Sequence, residues 1–327
     1  MAAVSETLVR EVSEDALLAR IVPLLPVGRA TLLPSGDDAA VVAAPDARFV
    51  VTTDVLVEDR HFRRAWSTGR DVGRRAAVQN LADVAAMGAV PTALVVALGV
   101  PGELPVAWLE DLARGLADEC GPLGVGVVGG DLSGGSELTV AVTALGDLEG
   151  RAPVTRSGAR PGDVVAHAGV CGHSAAGLAL LSADLETLDD ELVAAYRHPT
   201  SPLAAGPSAA RAGATAMIDV SDGLLRDAGR LATASAVVID LDADAFAADR
   251  HRLAAVADVL GADVAQWVLG GGEDHGLLAT FPSSAAVPPP FVVVGRVLPA
   301  GPGGAAAGVL VGGASSAVRP GWDHFAG

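Results

Sequence analysis

The 327-residue sequence contains no lysine, and all 22 of its basic residues are arginine. That absence removes whole mechanisms. A Walker-type loop sets a lysine against the β- and γ-phosphates, a protein kinase uses a strand lysine, and pyridoxal phosphate needs a Schiff-base lysine. If ATP is handled here, another architecture handles it. Cysteine is nearly as scarce. Cys120 and Cys171 stand in unrelated contexts without CxxC spacing, which argues against a disulfide framework or a zinc site and leaves two buried small hydrophobes. Aromatics make up only 3% while 50% of the residues are hydrophobic, so the apolar content is Ala, Val and Leu, suited to helices packed closely on sheets. No apolar run approaches the roughly 18 residues that a membrane span requires. The amino terminus, with Glu6, Arg10, Glu11, Glu14 and Asp15, has no apolar signal core, so a cytoplasmic location is expected. The net charge of −17 opposes a broad nucleic-acid surface, because phosphate-backbone affinity comes from clustered cations. Anionic substrates would need metal escorts.

What is present instead is acid set into apolar strands. Gly36-Asp37-Asp38-Ala39-Ala40-Val41-Val42 is followed by Phe49-Val50-Val51-Thr52-Thr53-Asp54-Val55-Leu56-Val57. An ionised carboxylate is costly to bury without a partner, so Asp38 and Asp54 need cations, strong donors or an edge position. With Arg48 the only basic residue in that stretch, a metal ion is the economical answer. Gly-Asp-Asp also suits an ordinary turn before a strand.

At this length two α/β domains are expected. Residues 5–25 carry Leu8, Val12, Leu17, Leu18 and Ile21 at roughly helical spacing, ending at Pro23. A helix over 71–87, stopped by Gly88, sets Gln79, Asn80 and Asp83 on neighbouring positions of one face. A strand over 92–100 and a helix over 106–120 precede the strand 125–128. That strand runs into Gly129-Gly130-Asp131, where paired glycines permit close backbone approach and the aspartate could hold a metal, or the three simply turn the chain. A strand over 138–145 leads to a domain boundary near 146–151. Beyond it Arg156 and Arg160 are candidate phosphate partners or plain surface arginines. Helices are expected over 173–182 and 189–198. Residues 216–228 form strand, turn and helix. There Asp219 and Asp222 offer carboxylates to a cation and the helix amino terminus offers N–H groups to an anion, with Ser221 a helix cap at the least. Gly271-Gly272-Glu273-Asp274 is a second glycine-rich acidic turn, before strands at 277–281 and 291–297.

Taken together, nine blocks in order resemble the thiamine-monophosphate kinase family, within the aminoimidazole-ribonucleotide-synthetase-like superfamily. They are Gly36-Asp37-Asp38, Thr52-Thr53-Asp54, His61-Phe62, Asn80 through Gly88, Gly129-Gly130-Asp131, Thr155-Arg156-Ser157-Gly158, Ser221-Asp222-Gly223-Leu224, Gly271-Gly272-Glu273-Asp274 and Trp322-Asp323-His324-Phe325. The resemblance implies an α/β fold of two domains. Residues 1–148 would bind ATP and magnesium and pair their sheet across a homodimer, and residues 149–327 would complete the substrate site. It implies phosphoryl transfer from ATP to thiamine monophosphate with several Mg2+ ions. By the same likeness Asp38, Thr52, Thr53, Asp54, Asp83, Asp131, Asp219 and Asp222 match metal positions, Gly130, Arg156 and Ser221 match ATP contacts, and His61, Glu273 and Trp322 match contacts to the thiamine phosphate. The sequence departs from the family pattern at Leu132, at His275 where a tyrosine is common, and at Asp59-Arg60. No side-chain base is expected, because a phosphate monoester is already about −1.5 to −2 charged near neutrality and can attack directly.

Overall fold

The computed structural model describes residues 7–35, 39–301 and 306–322. The block Gly36-Asp37-Asp38, and with it the metal position expected at Asp38, lies outside the described residues, as does the ending Asp323-His324-Phe325. The chain forms two compact units, Met1–Val84 with Val90–Gly150, and Ala85–Ala89 with Arg151–Gly327.

The first unit opens with helix α1 (Glu14–Ile21), whose N-cap Ser13 accepts a hydrogen bond from the Ala16 amide, and a two-stranded ribbon of β1 (Thr31–Leu33) and β2 (Val41–Val42). The helix is shorter than the spacing over 5–25 suggests, because Val9–Glu11 forms a separate 3-10 turn. Then come β3 (Val50–Val57), α2 (Gly69–Ala86), β4 (Val90–Val100), α3 (Val106–Leu123), β5 (Gly126–Gly134) and β6 (Thr139–Asp147). The sheet order is β3-β6-β4-β5, antiparallel except for the parallel pair β4 and β5, which the α3 crossover joins. Helix α3 buries Val106, Leu109, Leu112, Leu116 and Cys120 at three- and four-residue spacing and ends on Gly124 in the left-handed region. Helices α2 and α3 touch backbone to backbone: a Cβ at Gly73 would lie 2.1 Å from Leu112 O, and one at Gly115 would lie 2.1 Å from Arg70 O. Small residues thus lock α2, and the polar residues it carries, over one face of the sheet.

The second unit carries β7 (Val164–Ala168), α4 (His173–Ser182), α5 (Asp190–Arg197), α6 (Ala205–Arg211), β8 (Ala216–Val220), α7 (Leu224–Ser235) and β9 (Val237–Leu241). It continues with α8 (Ala247–Leu260), α9 (Val264–Gly270), β10 (Gly276–Phe281), β11 (Val292–Pro299) and β12 (Gly308–Val311). Its six strands run in the order β12-β9-β11-β7-β10-β8, with only the β12–β9 pair parallel. Strands β8, β9 and β10 are buried at every residue, so both of their faces are covered. Among the described residues no helix is long and apolar enough to cross a membrane, and both cysteines are buried free thiols.

Candidate functional site

In the first unit, Thr52 and Asp54 alternate with Val51, Thr53 and Val55 along β3. The pairing Asp54↔Val142 and Thr52↔Ala144 sets both on the face that α2 covers, since Val142 and Ala144 are buried there. Helix α2 meets them with Asn80 and Asp83. Thr52 Oγ1 donates to Asp83 Oδ2 at 2.7 Å, and the Asp54 amide donates to Asn80 Oδ1 at 3.1 Å. Asn80 is fully buried and its amide nitrogen donates to Ala76 O, so its orientation is determined from both ends. Thr53 points the other way, its hydroxyl donating to Val142 O and accepting from Thr143 Oγ1. At the end of β3, His61 Nδ1 accepts from the Val57 amide at 3.0 Å, which leaves the proton of the neutral ring on Nε2.

Gly129, Gly130 and Asp131 do not turn the chain. They lie inside β5, because β5 pairs in parallel with β4 through Gly134. A Cβ on Gly130 would fall 1.8 Å from Val96 O, so packing against β4 alone demands glycine there. Gly129 and Gly130 line a cavity of about 500 Å³ together with Ala40, Arg48, Thr92 and Asp147. Asp131 is opposite Ala97, which is opposite Ala141, which is opposite Val55. That register sets Asp131 on the sheet face opposite to Thr52 and Asp54. It is exposed, and its Oδ2 accepts from Ser133 Oγ at 2.8 Å.

In the second unit, β8 ends at the turn that opens α7. Asp219 lies in β8, 4% exposed, and Ser221 and Asp222 follow in the turn. The acidic loop after α9 is tied to that turn: the Glu273 amide donates to Ser221 O at 2.7 Å and the His275 amide to Val220 O at 3.0 Å. The C-terminal segment joins through the Trp322 amide, which donates to Asp222 O at 3.0 Å and leaves the ring 62% exposed. Thus Asp219, Ser221, Asp222, Glu273 and Trp322 are brought together. Arg156 is held elsewhere, in an exposed turn whose carbonyl accepts from Ser235 Oγ at 2.7 Å.

Three buried residues without an assigned role stand in or beside these two loops. Asp227 is buried; its Oδ2 accepts from the Ser221 and Asp222 amides at 3.1 and 2.9 Å, and its Oδ1 from Arg230. Burial and the neighbouring Asp219 charge push its pKa up to about 6. Asp274, also buried, accepts from the Gly172 and Ser174 amides at 2.5 and 2.8 Å and so satisfies the amino terminus of α4. Burial raises its pKa to about 6, against the lowering effect of those two bonds. His275 is buried with Nε2 3.4 Å from Glu273 Oε2 and Nδ1 3.9 Å from Asp219 Oδ2. Burial opposes its protonation, but the Asp219 and Glu273 carboxylates outweigh it and raise its pKa to about 10. The three-residue spacing of Asp227 and Arg230 on the amphipathic helix α7, just after the acidic turn, was the available signal for the first of these.

Among the described residues no three His, Cys, Asp or Glu side chains converge as a self-sufficient metal cage. The donors present are hydroxyl and carboxylate oxygens in small groups, Thr52 with Asp54 and Asp83 in one unit, Asp219 with Asp222 in the other. Such sets fit Mg2+, which binds through one or two carboxylates and completes its octahedron with water and substrate phosphate.

Residues 36–148 match the family model for the N-terminal domain of AIR synthase related proteins. The chain is 49% identical to the thiamine-monophosphate kinase of Mycobacterium tuberculosis over 97% of its own length and 92% of that protein. It is 44% identical to the Corynebacterium glutamicum enzyme of the same name, covering 80% of this chain and 81% of the other. Its fold superposes on the structure of AaThiL complexed with AMPPCP and TMP at a TM-score of 0.76 and 32% identity, over 88% of this chain and 91% of that one.

Proposed function

The chain belongs to the thiamine-monophosphate kinase family, and on that premise we propose that it transfers the γ-phosphoryl group of ATP to the phosphate of thiamine monophosphate, giving thiamine diphosphate and ADP. The observation that carries the reading is the pairing of oxygen donors with the absence of lysine: Thr52 bonded to Asp83 beside Asp54, and Asp219 beside Asp222, in a chain whose cations are all arginine. The AaThiL structure with an ATP analogue and TMP lends the substrates.

Thr52, Asp54 and Asp83 in the first unit and Asp219 and Asp222 in the second would hold Mg2+, with Thr53, Asp131 and Asp38 as further metal positions. Bound Mg2+ supplies charge neutralisation for the phosphates. The chain's own residues then position the reactants. By the family likeness Gly130 and Ser221 are the candidate nucleotide contacts, with Arg156 a third although its turn stands apart from Ser221, and His61, through Nε2–H, is the candidate donor to the acceptor phosphate. Glu273 and the exposed face of Trp322 would hold the cationic thiazolium and its pyrimidine. No residue need remove a proton, since the acceptor phosphate is ionised. The exposed apolar side chains Val51, Val55 and Val95 on the outer face of the four-stranded sheet support pairing of two copies through that face. Buried free Cys120 and Cys171 fit a reducing, cytoplasmic setting.

The test is direct. Purified protein is mixed with ATP, magnesium chloride and thiamine monophosphate, and thiamine diphosphate is followed by chromatography, with free thiamine as a control acceptor and EDTA as a control for the ion. Product only from the monophosphate and only with Mg2+ supports the reading. Nucleotide binding without product moves the acceptor to another molecule.

A further inference from the structure

Asp222 has cations already: Arg226 Nε lies 3.9 Å from its Oδ2, and Arg230 lies closer. Arg230 lies one helical turn beyond Asp227 on α7, and its guanidinium forks between two carboxylates: Nη1 donates to Asp227 Oδ1 at 2.6 Å and Nη2 lies 2.6 Å from Asp222 Oδ2. The planar fork makes the double contact possible, which a single ammonium could not reproduce. Its two ends are unequal. The Asp227 side chain is 1% exposed and anchored by two backbone amides, whereas the Asp222 side chain is 21% exposed. Water competes for the Asp222 end and hardly reaches the Asp227 end, so the Asp222 contact is the one that opens more easily. A hard cation that binds Asp222 must share that carboxylate with Arg230, and two cations on one carboxylate repel.

We propose that Arg230, the nearer of the two arginines on Asp222, is its main resident counter-ion, displaced when a divalent cation takes that carboxylate and retained meanwhile by Asp227. Arg230 thereby weakens capture of the free ion. A phosphate arriving with the ion gives the released guanidinium a new anion, so the metal–phosphate pair replaces the resident pair without leaving a charge uncompensated. The effect is discrimination in favour of metal-bound nucleotide over metal alone. The inference rests on Asp222 being a cation ligand, as in the reading above.

The experiment titrates Mn2+ into the full chain without nucleotide, by calorimetry, for the parent, Arg230→Gln, Arg230→Lys, Asp222→Asn and the double variant Asp222→Asn with Arg230→Gln. Arg230→Gln should bind Mn2+ roughly threefold or more tightly than the parent, the scale of a half-exposed ion pair. Arg230→Lys, which keeps a charge but not the fork, should fall between them. In the Asp222→Asn background the second substitution should add no tightening. Unchanged or weaker Mn2+ binding in folded Arg230→Gln, or in folded Arg230→Lys should the glutamine variant not fold, overturns the proposal. So does Mn2+ that binds neither parent nor variants at millimolar concentration. Asp222→Asn leaving the parental affinity untouched defeats the assignment of Asp222 itself, a result distinct from failure of Arg230 alone.

Discussion

His167 should make this protein lose stability in mild acid. It lies in β7, 5% exposed, its ring 6.2 Å from that of Phe246 and its Nε2 3.7 Å from the Cys171 sulfur. Burial drives its pKa down from 6.5 to about 4, with Asp249 giving only slight relief. The folded protein therefore binds this proton more weakly than the unfolded chain does. The stability is whole above the unfolded value of 6.5 and drains away as pH falls toward the folded value of about 4. At about 1.4 kcal/mol per pH unit, roughly 2 kcal/mol is gone by pH 5 and about 3 kcal/mol near pH 4. Other acids and histidines titrate in the same window, so the difference between parent and His167→Leu isolates the term. The assay is urea denaturation of both at pH 7.5 and pH 5, followed by circular dichroism. Leucine can shift the absolute stability either way, but the gap between the proteins should move by roughly 2 kcal/mol in favour of the variant on acidification. Parallel pH profiles would refute the argument, as would an NMR titration in which the His167 ring protonates near pH 6.5.

Thr52→Val keeps the β-branched shape but removes the donor to Asp83; it should cost roughly 1 kcal/mol in a denaturation midpoint and reduce thiamine diphosphate formation. Recovery of full activity in that variant would detach the threonine from the site. Asp227→Ala strips the acceptor from the Ser221 and Asp222 amides and from Arg230, so a loss of roughly 2 to 4 kcal/mol is expected in urea unfolding, and an unchanged midpoint would show the turn to be held by other means. Asp131→Asn and Asp222→Asn should each abolish turnover with circular dichroism unaltered, and a normal rate in either removes that residue from the metal positions.

Much of the local structure was legible from the chain. The helices α2, α3 and α7 and the strands flanking them follow from apolar residues spaced three to four or two apart, a pattern that depends only on near neighbours. The glycine-rich acidic motifs stood out for the same reason: acid among Val, Leu and Ala is conspicuous without knowing what surrounds it. Strand β9 and helix α8 were less visible. Val237-Val238-Ile239 is a short apolar run directly after a helix, and Leu253, Val256 and Ala257 are the only buried residues of α8. Neither gives a long period to read.

The residue inventory limits the chemistry on offer to oxygen donors in abundance, arginine as the sole permanent side-chain cation, and no lysine or paired cysteine mechanism. Tertiary structure alone decided which donors meet. Asp54 and Asp131 sit in similar motifs, yet pairing through β6 and β4 puts them on opposite faces of one sheet, and a one-residue change of register would reverse that. Gly129-Gly130-Asp131 became strand rather than turn because β4 lies alongside. Asp274 meets the amides of Gly172 and Ser174, 102 and 100 residues away. Propensity acts over a few residues, whereas register, burial and ion pairing are settled by segments far apart in the chain that compete for the same face, and that competition has no local signature.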